Sequence, residues 1–170
     1  MFKIKDIVIY GAYGVCEILG EEDKNLSGEQ KRYLVLKSLC GDRATYFVPS
    51  DNELLLGKMH RVLSEKEIND LIDSIPYEDE IRIDDDRERK ECYRKIITEG
   101  NHADLIKMIK TIRAEKEERN KNGKRLHIAD ERFLKDAEKL LHSEFQYVLK
   151  LSENELMSYI FERIEKNKKQ

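Results

Sequence analysis

The apolar pattern of this chain changes its period once, close to residue 50, and that change decides most of what the chain can fold into. Up to Pro49 the apolar residues come in short β-branched and aromatic runs punctuated by glycine. Ile7-Val8-Ile9-Tyr10 precedes Gly11 and Gly14, and Val15 to Leu19 resumes the apolar character, as two strands joined by a tight connection would. A third strand is expected at Tyr33-Leu34-Val35-Leu36, after a polar loop from Glu21 to Gln30 that contains Gly28. A fourth is expected at Ala44 to Val48, reached by the turn Cys40-Gly41-Asp42-Arg43. Pro49 ends it, because proline has no N–H to give to a ladder. Four or five short antiparallel strands in this span predict a small, partly closed barrel.

Beyond Pro49 the punctuation is helical. Ser64-Glu65-Lys66-Glu67 is a capping box followed by Ile68, Leu71 and Ile72 on one face, so a short helix starts there and dies near Ser74-Ile75-Pro76. Tyr77 to Asp86 reads as a linker. Asp84, Asp85 and Asp86 suit the positive end of a second helix, which carries Cys92, Tyr93, Ile96 and Ile97 on one face and stops at Gly100. Asn101 caps a third helix striped by Leu105, Ile106, Ile109 and Ile112, with Asn122-Gly123 as its stop. A fourth, long helix carries Phe133, Leu134, Ala137, Leu140, Leu141, Phe145, Val148 and Leu149. Ser152-Glu153-Asn154-Glu155 caps a fifth, striped by Leu156, Tyr159, Ile160 and Ile164. Short connections favour a compact antiparallel bundle, and the Leu140 to Leu149 stripe reads as bundle core rather than a dimer seam. The fold class expected is α+β.

Charge and cysteine usage narrow the function classes. Residues 77 to 86 carry six acids against one Arg, whereas Arg87 to Arg125 carries 13 Lys/Arg against 7 Asp/Glu, a surplus of 6. A basic block of this kind is either a footprint for phosphates or a solvated face of salt-bridged helices. The three cysteines, Cys16, Cys40 and Cys92, have no C-x-x-C spacing and read as buried or half-buried thiols, not a disulfide framework or a zinc site. No apolar run approaches the ~20 residues of a membrane span, and the N-terminus from Met1 to Asp6 has no signal-peptide core, so a cytoplasmic protein is expected. His60, His102, His127 and His142 lie in no catalytic or metal-binding motif. They read as surface, boundary or cap residues. No catalytic residue, cofactor or metal is expected, and the chain reads as a protein that holds other macromolecules.

Phe2-Lys3-Ile4-Lys5-Asp6-Ile7-Val8-Ile9-Tyr10-Gly11-Ala12-Tyr13-Gly14-Val15 resembles the opening of the CarD-like family of bacterial RNA-polymerase-binding regulators. Gly28 to Leu36 resembles the family's next strand, Val48-Pro49 its closing strand, and Lys95 to Asn101 the helix end before its third helix. The resemblance runs from Phe2 to about Leu149. It implies a Tudor-like or SH3-like β module at 1–62 that binds the polymerase β subunit, a short helix and acidic linker at 63–86, and a helical domain at 87–170 that touches promoter DNA. The same module occurs in transcription-repair coupling factors. This chain has no motor domain and so resembles the stand-alone regulators; a monomer is expected.

Carried over by position, Lys24 falls where a basic polymerase contact occurs. Phe47 falls where some relatives place a basic side chain, which points to an apolar contact backed by Tyr46. Tyr10 and Tyr13 read as packing or protein-contact residues more than as base-stacking platforms. The polymerase-binding set expected is Tyr10, Lys24, Tyr46, Phe47 and Pro49. An open sheet edge would add a partner's strand, unless Lys31, Arg32 and Lys37 blunt it. On the DNA side the chain departs from the family: it has no tryptophan, and the position of the family's aromatic wedge falls at about Asp86. Arg87, Arg89, Lys90, Arg94, Lys107, Lys110 and Arg113 remain as expected contacts to the phosphate backbone, with about four neutralised phosphates giving a salt slope of about −3.6. The function expected is modulation of open-complex stability from a dock on the β subunit. The alternative is an adaptor that docks on polymerase without significant DNA contact.

Overall fold

Alternating β-branched residues build the first unit, Met1–Val62. A computed structural model describes residues 2–26, 28–41 and 43–169; Met1, Ser27, Asp42 and Gln170 lie outside the described residues. Strands β1 (Ile7–Tyr10), β2 (Val15–Asn25), β3 (Gln30–Ser38), β4 (Thr45–Pro49) and β5 (Met59–Arg61) form one antiparallel sheet in the order β4-β3-β2-β1-β5. The β1–β2 connection is a single 3₁₀ turn, Gly11–Tyr13, and its flanking geometry needs φ of 46° at Gly11 and 76° at Gly14, which only glycine adopts cheaply. Val8, Tyr10, Cys16, Ile18, Leu36, Val48 and Met59 form the core beneath the sheet. Burial pushes the Cys16 thiol up to about 11, with Cys40 adding to the effect, so this sulfur is a packing group and not a nucleophile.

Three features of this unit go beyond the sequence pattern. The residues expected as a polar loop, Glu21 to Gln30, are mostly strand: β2 runs to Asn25 and β3 begins at Gln30, in register from Glu21↔Leu34 to Asn25↔Gln30. Most of the residues paired in this extension are polar or solvated, so the apolar alternation that marks a strand is missing, and ion pairs such as Arg32 to Asp23 at 3.2 Å tie it instead. A register shift between Ile18 and Gly20 leaves Leu19 unpaired and exposed, a bulge that resets which side chains face the core. A single-turn helix α1 (Glu53–Leu56), capped by Asn52 accepting from the Leu55 N–H at 3.1 Å, packs Leu55 and Leu56 on the core and leads into β5.

The second unit, Leu63–Gln170, is built from helices, with no strand among its described residues. Its helices are α2 (Glu65–Ser74), α3 (Asp86–Glu99), α4 (His102–Lys121), α5 (Ile128–Leu149) and α6 (Glu153–Lys168). Both capping boxes form, at Ser64 with Glu67 and at Ser152 with Glu155, and each satisfies backbone N–H groups at the start of its helix. Gly100, at φ 67°, ends α3 in the left-handed conformation and Asn101 caps α4 from the next residue. One core gathers Tyr93, Ile96, Leu105, Met108, Ile112, Ala137 and Leu140 from α3, α4 and α5. A second gathers Ile68, Ile72, Ile106, Leu141, Phe145 and Leu156 from α2, α4, α5 and α6. Residues 78–85 have no helix but are strapped to α4: the Ile81 N–H donates to Thr111 Oγ1 at 2.8 Å and Lys110 Nζ donates to the Pro76 and Glu78 carbonyls.

Buried carboxylate chemistry fastens the start of this unit. Glu144, 2% exposed, accepts the Leu63 N–H at 2.8 Å and a short hydrogen bond from His102, so one side chain joins the segment before α2, the start of α4 and the middle of α5. At the far end α6 is latched to α2, with Tyr159 donating to Asn69 at 2.6 Å, Arg163 donating twice to Asp73 at 2.7 Å, and Asn167 donating to Asp73 at 2.6 Å. The Arg163 hydrogen bonds hold the Asp73 carboxyl below its usual range. A carboxylate whose folded pKa is depressed stabilises the fold above its unfolded pKa and loses that contribution as pH falls through the folded value. Asp73→Asn is therefore expected to cost about 1 kcal/mol at pH 7, with the difference closing below about pH 3.9. Urea denaturation of both proteins across this range is the check, and a gap that stays constant into acid would rule out the ionic latch.

Candidate functional site

Strand register assembles the most distinctive surface of the first unit. Lys24↔Lys31, Glu22↔Tyr33 and Gly20↔Val35 pair across β2 and β3, and Tyr33↔Pro49 and Val35↔Phe47 pair across β3 and β4. Because side chains alternate along a strand, these pairings put Lys24, Tyr33, Val35, Phe47 and Pro49 on one face of the sheet. Tyr33 and Val35 are buried there, and Phe47 lies half-buried beside them. Lys24 Nζ sits 3.7 Å from the centroid of the Phe47 ring and 3.2 Å from Glu22. The ring is thus held by a cation from two strands away, an arrangement worth about 0.5–1 kcal/mol at an exposed site. β4 stands at the edge of the sheet and pairs with β3 alone. The face therefore offers an aromatic anchor, a cation and a strand edge side by side, which suits a protein partner that adds a strand.

The opposite face holds the other two aromatic residues expected in the set. Tyr10 is 5% exposed and Tyr46 packs on the same core. Tyr13 links them: its ring stacks on Tyr10 at 5.4 Å between centroids and tilts against Tyr46 at 4.5 Å, while the residue is 54% exposed. Burial, reinforced by Tyr13 and Cys16, pushes the Tyr10 hydroxyl above its ordinary range. Lys24, Phe47 and Pro49 thus share one face, Tyr10 and Tyr46 the other, and Tyr13 is the ring of the trio most open to solvent. Its exposure was hidden in the sequence because the turn Gly11–Tyr13 has no strand alternation to assign it a face.

The basic residues of the second unit are largely engaged within the unit. Arg89, 16% exposed at the side chain, bonds Asp86 at 2.7 Å and the buried Asp130 at 3.4 Å. Lys90 bonds Asp86 at 2.6 Å. Asp86 thus serves as the hub of two cations, and the Lys90 hydrogen bond, helped by the Arg89 charge, holds its carboxyl below the usual carboxylate range. Arg113 bonds Glu138 at 2.6 Å, Lys107 lies 3.8 Å from Glu78, and Lys110 donates to two backbone carbonyls. Arg94 lies over the Phe133 ring at 6.0 Å, and Arg87 makes an exposed pair with Glu91 at 3.4 Å. Spacing signals the local pairs, since Asp86, Arg89 and Lys90 stand at i, i+3 and i+4. The partners Asp130 and Glu138 come from α5, far along the chain. Lys116, Lys124, Arg125, Arg132, Lys135 and Lys139 are exposed cations of α4, α5 and their connection without an ion-pair partner among the described residues.

Among the described residues, no three His, Cys, Asp or Glu side chains are grouped to hold a metal ion, and no helix is long and apolar enough to cross a membrane. Residues 2–63 match the family model of the CarD-like/TRCF RID domain, a span that takes in every strand of the sheet and the whole Lys24–Phe47–Pro49 face. The first unit is therefore similar to a CarD-like/TRCF RID domain, a match consistent with a CarD-like family member.

Proposed function

We propose that this chain is a bacterial, cytoplasmic transcription regulator that docks on the β subunit of RNA polymerase and tunes the lifetime of the promoter open complex, with no catalytic step of its own. The RID domain is a polymerase-interacting domain, and the match over residues 2–63 supports RNA polymerase binding in transcription. The observation that carries the docking site is the face built by Lys24, Phe47 and Pro49 next to the edge strand β4. Contact with promoter DNA goes to the phosphate backbone, because the chain has no tryptophan to wedge into a base step and Asp86 is tied to Arg89 and Lys90. The exposed cations Lys116, Lys124, Arg125, Arg132, Lys135 and Lys139 are better placed for it than the ion-paired residues of α3.

The pairing of Arg89, Lys90, Lys107 and Arg113 with carboxylates favours a second reading, an adaptor that docks on polymerase and leaves DNA alone. Open-complex lifetimes with and without the protein, measured at several salt concentrations, separate the two. Backbone contact predicts a changed lifetime whose salt dependence steepens by a slope of up to about −3.6 for four phosphates, and charge-reversing Lys135 and Lys139 weakens the effect. An unchanged lifetime with retained polymerase binding assigns the adaptor role. No binding to polymerase at all contradicts both.

A further inference from the structure

The helical unit contains a cavity of about 460 Å³, within the ~300–1,000 Å³ range of small-molecule sites. Its floor is the buried trio Ile106, Leu141 and Phe145, from α4 and α5. Ile75 from the turn after α2, and Ile160 and Ile164 from α6, form apolar walls. A pocket so lined rewards a saturated hydrocarbon, each CH₂ of which leaves water on entry.

The mouth carries the polar groups that would orient such a ligand. Lys110 Nζ donates to the Pro76 carbonyl at 3.0 Å and the Glu78 carbonyl at 2.6 Å, both neutral acceptors, and has no carboxylate partner among the described residues. The ammonium therefore stands at the lip of the cavity with a third N–H still to give. Arg113 reaches the same mouth while bonded to Glu138. The carboxylates there, Glu80 and Glu117, are exposed, and Glu117 lies 3.6 Å from Lys121. His142 also faces the cavity; burial holds its imidazole below its usual range, so at neutral pH it adds a polar but uncharged ring.

We propose that this cavity binds a medium-chain fatty acid of about eight to ten carbons, the hydrocarbon lying on Ile106, Leu141 and Phe145 and the carboxylate bonded to Lys110. The site lies wholly within the helical unit, so its occupancy and the polymerase dock at residues 2–63 stand or fall separately. A charge-assisted bond of this kind separates acid from alcohol, since 1-decanol offers the same chain without the anion.

Calorimetric titration of the full chain with decanoate and with 1-decanol, below their micelle or solubility limits, tests the proposal. Decanoate is expected to bind with one-to-one stoichiometry and 1-decanol about tenfold more weakly. Lys110→Gln should weaken decanoate about tenfold while leaving 1-decanol unchanged. Ala114→Phe, which fills the cavity from a half-buried position in its wall, should abolish both; thermal melting monitors its fold independently of Lys110 and the turn that Lys110 holds. No saturable decanoate binding, equal binding of acid and alcohol, or unchanged binding by a folded Ala114→Phe variant would each overturn the proposal.

Discussion

Replacing Asp130 with alanine is expected to destabilise the helical unit by about 3–5 kcal/mol, the largest effect of any single charged residue in it. Asp130 is fully buried and faces Arg89, whose side chain is only 16% exposed, at 3.4 Å. Removing the carboxylate leaves a guanidinium in the interior with Asp86 as its remaining ionic partner. The local surroundings make that exposure costly, because the Tyr93 ring is fully buried and burial pushes its hydroxyl up to about 12, so it stays neutral. The pair is also incompletely satisfied: Arg89 Nε, Asp130 Oδ1 and the Tyr93 hydroxyl are buried without a hydrogen-bond partner among the described residues. An apolar replacement of both partners, Arg89→Met with Asp130→Leu, should therefore recover most of the loss. Equilibrium urea denaturation of the three proteins measures this. If Asp130→Ala costs less than about 1 kcal/mol, comparable to an exposed pair, the buried pair is not what holds α3 to α5. The same logic bears on function: loss of promoter affinity in an Arg89 variant would reflect a damaged fold before a lost phosphate contact.

Phe47→Ala should lower the affinity for RNA polymerase by about 30-fold, equivalent to about 2 kcal/mol. Interfaces concentrate their energy in a few aromatic and cationic anchors that are already ordered before binding. Phe47 meets that description, since β3 pairing and the Lys24 ammonium both restrain its ring. Lys24→Ala should weaken binding less, by several-fold, because it removes a partly solvated charge and loosens the ring without deleting it. Leu54→Ala provides the contrast. Leu54 is 84% exposed on α1, more than any other large apolar residue described, and lies outside the face built by Lys24, Phe47 and Pro49. It should bind polymerase normally.

The helix ends were readable because their determinants are local. Ser64 with Glu67, Ser152 with Glu155, and Gly100 with Asn101 act within four residues, and each marks its boundary in the structure. The extended arms of β2 and β3 were not readable, because Glu21 to Asn25 lack the alternation that one-sided burial imposes. α1 and β5, at four and three residues, are too short to carry a period. The candidate sites divide along the same line. Phe47 and Lys24 could be named from the family pattern, but their ring-to-ammonium contact depends on the register of three strands. Composition alone marks the basic block, but the ion pairs that engage Arg89 and Arg113 reach Asp130 and Glu138, which lie 41 and 25 residues away. Glu144 belongs to the same class, since its partners His102 and Leu63 lie 42 and 81 residues away.

The central claim, that the Lys24–Phe47–Pro49 face is the polymerase dock, is tested most directly by titrating fluorescently labelled full-length protein and its Phe47→Ala variant with RNA polymerase at fixed salt, after far-UV circular dichroism has established that both are folded. A dissociation constant about 30-fold higher for the variant, with Leu54→Ala unchanged, is the predicted result. Equal affinity of the folded Phe47→Ala variant and the parent protein would contradict it.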